Sequence, residues 1–206
     1  MDIIPNFVVF EGGDGSGTTT QLSFLTDFLK KNQKPEFFPT FEPTNTQTGK
    51  LIRAALKKEI TLKPETLCFL FAADRSEHIY GQNGIIERSK KGELVVCDRF
   101  IFSSLVYQGI ECGDELPYLL NSHFPLPEIT IFFDVKPEIA LERLKNRESI
   151  ELYEYLDFQE SVRKKYISVL EKYSEISRIE IIDASKSAGE VSDQVWSIIS
   201  EMPIIK

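Results

Sequence analysis

The sequence predicts an α/β fold in three layers, with a five-stranded parallel sheet and helices on both of its faces. Short runs rich in β-branched and aromatic residues alternate with longer stretches of helical periodicity along the chain. Within these runs the apolar residues are consecutive rather than alternating, which is typical of strands covered on both faces. Strands that alternate with helices in this order pair in parallel through helical crossovers.

The predicted strands share this continuous apolar character and are bounded by Gly, Pro or polar residues. They cover residues 6–10, 36–40, 94–98, 128–135 and 178–183. The predicted helices cover residues 17–31, 48–59, 64–91, 102–108, 115–122, 137–147, 157–173 and 188–201. Gly81 and Gly84 predict a break inside the long third helix.

Composition limits the classes of protein that the chain can represent. With 206 residues, 42% of them hydrophobic, it can bury a core, and one domain over residues 1–206 is predicted. The net charge of -8 argues against a nucleic-acid or anionic-membrane partner, because both need a basic surface. No apolar run approaches the ~20 residues of a membrane span. The three cysteines are odd in number and far apart, which favours free thiols and a cytoplasmic location.

A glycine-rich turn follows the first predicted strand, where residues 10–20 read FEGGDGSGTTT. Glycines let successive backbone N–H groups point into one anion-sized hollow, and the helix that follows adds its positive N-terminal dipole. The turn fits the phosphate-binding template GxxxxGK[ST], except that Thr18 replaces the lysine. Thr19 holds the position whose hydroxyl usually reaches Mg²⁺. A phosphate-binding loop is therefore predicted at Gly12, Gly13, Asp14, Gly15, Ser16, Gly17, Thr18, Thr19 and Thr20.

Two other strand ends carry acidic residues. In open parallel sheets ligands bind beyond the carboxyl ends of the strands, so residues there are candidates for chemistry. Asp98 ends the third predicted strand and could belong to a magnesium shell, while Arg99 could grip a phosphate with two N–H groups. A purely structural Asp98–Arg99 pair is the alternative. Asp134, near the end of the fourth strand, fits a helix cap before Pro137 as well as a catalytic role.

Two helical pairs allow both a functional and a structural interpretation. Phe71 and Arg75 are four residues apart, so a ring and a guanidinium could hold one planar base together. Alternatively they are a core phenylalanine and a surface arginine. Arg143 and Arg147 also share a helical face, ahead of a polar and aromatic segment. They belong either to a solvated run of charges or to a lid that delivers arginines to transferring phosphates.

Taken together, these motifs resemble the thymidylate kinase family of P-loop nucleoside-monophosphate kinases over nearly the whole chain. Besides the glycine loop, the resemblance rests on EPT at 42–44, GKLIR at 49–53, LFAADR at 70–75 with His78, and DRFIFSSLVYQG at 98–109. The last block is the most specific of these matches. The resemblance implies a three-layer P-loop NTPase fold, with ATP as phosphoryl donor and thymidine monophosphate (dTMP) as acceptor.

The resemblance also implies how the acceptor binds. Asp14 would hold the sugar 3′-hydroxyl, and Tyr107 would crowd the 2′ position and disfavour ribonucleotides. Phe71 would stack on thymine, Arg75 would donate to a base carbonyl, and Gln108 would read the base edge. The implied dTMP-binding set is completed by Arg53 and Arg99, which would bind the acceptor phosphate, and by Ser103 and Ser104.

On the donor side, the resemblance implies Mg²⁺ bound together with ATP. Thr19, Asp98 and Glu11 would hold the ion, directly or through water. The implied catalytic set is Arg147, Arg99, Asp98 and Arg143, with Arg147 carried by a lid at about residues 146–156 and Arg143 behind it. Family members are typically homodimers, and the apolar stretches around residues 67–72 and 102–106 would allow one here, although they fit the core equally well.

Three hypotheses about the function remain open. Thr18 bears on the first and the third, because a threonine hydroxyl can donate a hydrogen bond but carries no charge. The first is an active thymidylate kinase in which the lid arginines partly replace the missing lysine. The second keeps the fold but changes the substrate, as in a deoxynucleoside kinase or another nucleoside-monophosphate kinase. The third is a nucleotide-binding protein with impaired catalysis.

Overall fold

The computed structural model describes residues 2–31, 37–144 and 152–206, with side chains in the last range described from residue 156 onward. Its strands form one five-stranded sheet in the order β2-β3-β1-β4-β5. Every neighbouring pair is parallel, as the sequence predicts. The strands are β1 (Ile3–Glu11), β2 (Phe37–Phe41), β3 (Leu94–Asp98), β4 (Leu126–Asp134) and β5 (Arg178–Asp183).

The helices of the described ranges lie where the periodicity predicts them, apart from their ends. They are α1 (Thr18–Lys31), α2 (Gln47–Leu56), α3 (Pro64–Tyr80), α4 (Ile85–Lys90), α5 (Ile101–Cys112), α6 (Glu115–Asn121), α7 (Pro137–Leu144), α8 (Leu152–Tyr173) and α9 (Ala188–Ile199). The predicted break separates α3 from α4, with Gly81 as the C-cap of α3. Residues 146–151 of the predicted lid lie outside the described residues. Its remaining residues, from Leu152, belong to α8.

Helix α5 is longer than predicted. The sequence predicts its end at residue 108, yet the helix continues to Cys112. Gly109 is buried, and a side chain there would come within 2.9 Å of a carboxylate oxygen of Asp114. Gly109 therefore marks close packing inside the helix, and Gly113, with φ +84°, is the residue that ends it.

The consecutive apolar residues of the strands supply two separate cores. In β1, Phe7 and Val9 belong to the core that also contains Ile79 of α3, whereas Val8 and Phe10 belong to the core that contains Leu25 of α1. The four β1 residues are fully buried. Because successive side chains point to opposite faces of a strand, a run without polar residues requires cover on both sides. The three-layer arrangement is confirmed.

The register of the sheet brings the carboxyl ends of the strands together. Phe10 of β1 and Phe41 of β2 both have Asp98 of β3 as their Cα partner. Strand β1 is central, with β3 and then β2 on one side and β4 and then β5 on the other. After β1 the chain crosses to β2 on one side of the sheet, whereas after β3 it crosses to β4 on the other side. In open parallel sheets a crevice for ligands lies between two neighbouring strands whose connections leave in opposite directions, which are β1 and β3 here, and the loop after Glu11 starts at this point.

Within the ranges that the structure describes, no helix is both long and apolar enough to cross a lipid bilayer.

Candidate nucleotide and phosphate site

The loop between β1 and α1 folds back on itself and then enters the helix. Ser16 donates its backbone N–H to the Gly13 carbonyl at 3.2 Å, and Gly17 accepts from the Gln21 N–H at 3.0 Å. Gly15 adopts φ +78°, and a Cβ there would lie 2.6 Å from the carbonyl oxygen of Ala140. Only glycine fits such a position without strain. The loop can therefore direct its amides and the start of α1 toward an anion.

This loop lines a cavity of about 480 Å³, whose walls are residues 13–20, Arg99, Arg143 and Leu144. The structure thus brings together the predicted phosphate-binding residues from Gly13 to Thr20 and two predicted cations. Gly12 does not line the cavity. A Cβ on Gly12 would lie 2.5 Å from the Ser16 hydroxyl, so this glycine supports the loop through close packing.

Thr19 and Asp98 meet at the edge of this cavity. The Thr19 hydroxyl donates to Oδ2 of Asp98 at 2.6 Å. Asp98 is buried, and its other oxygen, Oδ1, has no hydrogen-bond partner among the described residues. A buried carboxylate oxygen without a donor is costly unless water or a cation satisfies it. The pair therefore fits a Mg²⁺ shell, as predicted for these two residues.

The donor set is small, and this matches the chemistry of magnesium. In the described part of the chain, no group of three or more His, Cys, Asp or Glu side chains could hold a metal ion by itself. Mg²⁺ is usually held by one or two carboxylates together with water and substrate phosphates rather than by a cage of protein ligands. The residues present fit an ion that arrives with the nucleotide.

Protein groups surround the Glu11 carboxylate at the end of β1. It is fully buried and accepts hydrogen bonds from the backbone N–H groups of Phe100 and Ser103, the Ser103 hydroxyl and the Tyr166 hydroxyl. Burial raises the pKa of its carboxyl group, against the lowering effect of Ser103, Arg99 and Tyr166. Each oxygen already accepts two hydrogen bonds, so these contacts do not support the place in the magnesium shell that the resemblance implied for Glu11. They anchor the start of α5 to the sheet.

Arg99 is held in an unusual backbone conformation directly after β3. Its φ is +69°, and its backbone N–H donates to the Phe10 carbonyl at 2.8 Å. Non-glycine residues rarely adopt positive φ, and such strain is concentrated at functional sites. The conformation lets the guanidinium donate to Oδ1 of Asp14 at 2.7 Å, beside the ring of Tyr107, whose centroid is 5.3 Å away. Arg99 is thus paired with Asp14 and not with its neighbour Asp98.

Helix α8 contributes three contacts that the sequence analysis missed. Gln159 donates to Oδ2 of Asp14 at 3.3 Å, and Tyr166 donates to Glu11 at 3.0 Å. Arg163 donates to both oxygens of Asp134 at 2.6 and 2.8 Å, a contact that neither interpretation of Asp134 included. The helical spacing of these α8 residues indicates a shared face. Nothing in the sequence indicated which residues that face would meet.

Arg75 lies inside the protein and not at its surface, where the structural interpretation placed it. It is 1% exposed. Its Nε and Nη2 donate to Glu42 at 2.9 and 2.6 Å, Nη2 also donates to the Phe100 carbonyl and the Ser104 hydroxyl, and Nη1 donates to Asn121. Arg75 therefore ties α3 to its neighbours.

The other predicted acceptor residues divide into two groups. Phe71 is half-buried one turn before Arg75, and Gln108 is buried on α5. The hydroxyls of Ser103 and Ser104 instead support the protein, because Ser103 donates to Glu11 and Ser104 accepts from Arg75. Their predicted contact with the nucleotide is therefore not supported.

Arg53 and Arg143, two further predicted cations, contact different parts of the chain. Arg53 donates to the Pro43 carbonyl at 2.6 Å and to Asn45 at 3.2 Å. Arg143 donates to the carbonyls of Gly15 at 3.4 Å and Ala184 at 2.8 Å, which places it at the rim of the phosphate loop. The predicted lid residue Arg147 lies outside the described residues.

Comparison with known proteins supports the interpretation of this geometry. The family model for thymidylate kinase matches residues 10–195. A Treponema pallidum (strain Nichols) protein named as a thymidylate kinase is 42% identical over 211 residues, which cover 100% of both chains. The thymidylate kinase of Ligilactobacillus salivarius (strain UCC118) is 35% identical over 94% of this chain and 97% of its own. The chain therefore belongs to the thymidylate kinase family.

Proposed function

We propose that this protein transfers the γ-phosphoryl group of ATP to dTMP and produces thymidine diphosphate. The observation that carries the proposal is the contact between Asp14 of the phosphate loop and Arg99 of the motif after β3, on the wall of one cavity. This pair joins a polyphosphate cradle to a carboxylate and a guanidinium suited to a sugar hydroxyl and a phosphate. The names of the homologous proteins support the same reaction.

On the donor side, the loop amides and the N-terminus of α1 would hold the polyphosphate. Arg143 adds a positive charge at the rim, where backbone carbonyls hold its guanidinium. Thr19 and Asp98 would hold Mg²⁺, directly or through water, and the ion would neutralise charge on the phosphates. Arg147 would be the arginine that the lid brings to the transferring phosphates.

On the acceptor side, Asp14 would accept a hydrogen bond from the 3′-hydroxyl while Arg99 and Arg53 bind the phosphate. Phe71 would stack on thymine, and Tyr107 would exclude a 2′-hydroxyl. Base edges would be read by Gln108 and by Arg75. The attacking phosphate oxygen is already anionic, so no general base is required. Catalysis then depends on alignment of the two nucleotides and on neutralisation of their charge.

The decisive experiment is a coupled assay of ADP release with a panel of nucleoside monophosphates. We expect turnover with dTMP at about 1–100 s⁻¹, the usual range for kinases, and lower kcat/KM for the other acceptors. Chelation by EDTA should abolish turnover, and added Mg²⁺ should restore it. Faster turnover with another monophosphate would favour the second hypothesis. ATP binding without turnover on any acceptor would favour the nucleotide-binding hypothesis.

Thr18→Lys tests whether other cations compensate for the missing lysine. Thr18 is 6% exposed and lines the loop cavity beside Arg99 and Arg143. If these arginines and Arg147 already supply the charge, kcat should change by less than about threefold. If they do not, the new lysine would supply the missing charge contact and raise kcat by about 10²-fold or more. Steady-state kinetics measure the effect. A gain of about 10²-fold would show that the native loop is impaired.

We also propose a cytoplasmic homodimer. Two apolar stretches would allow a dimer interface. In residues 102–106, Phe102 and Val106 are fully buried within the protomer, so this stretch is not available for an interface. Helix α3 remains, with Phe69 54% exposed. Sedimentation equilibrium should give twice the 23.6 kDa of the chain. A monomer at micromolar concentration would contradict the proposal.

A further inference from the structure

Helix α8 is fixed to the catalytic edge of the sheet by side chains from successive turns. Gln159 contacts Asp14 in the phosphate loop, Arg163 contacts Asp134 at the end of β4, and Tyr166 contacts Glu11 at the end of β1. Of these contacts, only that of Gln159 reaches a residue proposed to touch the substrate. The contact between Arg163 and Asp134 has no place in the reaction described so far.

The Arg163–Asp134 pair has a geometry that fixes both distance and orientation. The guanidinium donates through Nε and Nη2 to the two different carboxylate oxygens, at 2.6 and 2.8 Å. Such a fork defines the relative orientation of two planar groups as well as their separation. The two side chains are 36% and 26% exposed, and pairs of this kind contribute little to stability. Orientation is therefore the property in which this pair differs from an ordinary surface ion pair.

Arg163 also lies close to Gln159 and Asp14. Gln159 and Arg163 are one helical turn apart, and both line a cavity of about 10 Å³ whose other walls include Gly13 and Asp14. The hydrogen bond from Gln159 to Asp14 is long, at 3.3 Å, so a small shift or rotation of α8 would break it. Arg99 holds only Oδ1 of Asp14. Without Gln159 on Oδ2, the carboxylate can turn away from its orientation.

We propose that Asp134 and Arg163 form a positioning pair, which sets α8 so that Gln159 holds the Asp14 carboxylate in the orientation that binds the acceptor's 3′-hydroxyl. This inference rests on the proposed function, because it assigns the pair to the acceptor half of that reaction. Arg163 acts through Gln159 and does not touch the substrate. The expected defect is therefore specific to acceptors that carry a 3′-hydroxyl.

The test compares dTMP with its 3′-deoxy analogue in Arg163→Met. We expect kcat/KM for dTMP to fall about tenfold, within the range for misplacement of a binding group, while kcat/KM for the 3′-deoxy analogue changes less than about twofold. Arg163→Lys, which keeps the charge but loses the fork, should recover part of the loss. The matched control is Lys164→Met, which removes the exposed Lys164–Glu160 pair of the same helix and should leave both acceptors unaffected.

Two results for Arg163→Met would overturn the inference. One is kinetics like those of the control, and the other is an equal loss of kcat/KM for both acceptors, as a general structural defect would give. Asp134→Asn keeps the shape of the carboxylate and should reproduce the selective loss, so it serves if Arg163→Met does not fold. If the wild-type protein does not phosphorylate dTMP, the proposed function itself fails. If the wild type is active and both variants keep its preference for dTMP over the 3′-deoxy analogue, the positioning pair alone is refuted.

Discussion

Asp98→Asn should lower kcat by about 10²- to 10³-fold, the loss expected when one preorganised charge contact is removed from a reacting centre. The amide can still accept a hydrogen bond from the Thr19 hydroxyl, so the local fold should survive. What disappears is the negative charge and the oxygen Oδ1, which is buried without a partner among the described residues. Because these are the features that fit a cation, the Mg²⁺ concentration for half-maximal activity should rise as well.

Steady-state kinetics over a Mg²⁺ titration would measure both effects. The matched control is Asp193→Asn, which makes the same substitution at an exposed position on α9 and should leave kcat and the Mg²⁺ dependence unchanged. A variant with near wild-type kcat and an unchanged Mg²⁺ requirement would show that Asp98 is structural. The cation would then have to be held by other groups.

Arg75→Met should destabilise the protein by about 3–5 kcal/mol, as is usual when one partner of a buried ion pair is removed. Among the described residues, the substitution leaves the Glu42 carboxylate, 3% exposed, with His78 as its one remaining ionisable partner. It also removes the donors to the Phe100 carbonyl, Ser104 and Asn121. Buried groups that lose their hydrogen bonds keep the cost of desolvation.

Urea unfolding would measure this loss. The control is Arg178→Met, because Arg178 also forms ion pairs, with Glu180 and Glu201, but at an exposed position. It should cost no more than about 1 kcal/mol. Adding Glu42→Gln to Arg75→Met should recover part of the stability, because the uncompensated charge is then gone. Equal losses for Arg75→Met and Arg178→Met would contradict the role of Arg75 as a buried tie.

The sheet and the phosphate loop could be predicted because their signals are local. A run such as Phe7 to Phe10 requires cover on both faces wherever the rest of the chain goes, and the predicted strand ends differ from the observed ones by at most three residues. The glycine loop is likewise contained in one short segment. For these parts of the fold, sequence and structure agree because few distant residues are involved.

The chemistry of Arg75, Glu11 and α8 could not be predicted in the same way, because it depends on distant partners. Arg75 meets Glu42, 33 positions away, and Asn121, 46 positions away, and nothing in the helical spacing of Phe71 and Arg75 indicates either. Glu11 is occupied by a hydroxyl 92 positions away. Gln159 reaches Asp14 across 145 positions. The resemblance implied a place near the metal ion for Glu11, and it indicated none of these protein donors.

The contacts of Arg75 have a consequence for how acceptors are chosen. They join α3 to the segment after β2, to α5 and to α6 through the protein's own hydrogen bonds. If dTMP binds as we propose, the walls around its base are preassembled, and little ordering is needed when the monophosphate arrives. A preassembled recess would reject a poorly shaped base instead of reshaping itself around it. Discrimination among nucleobases would then depend on steric fit and not on adaptive closure.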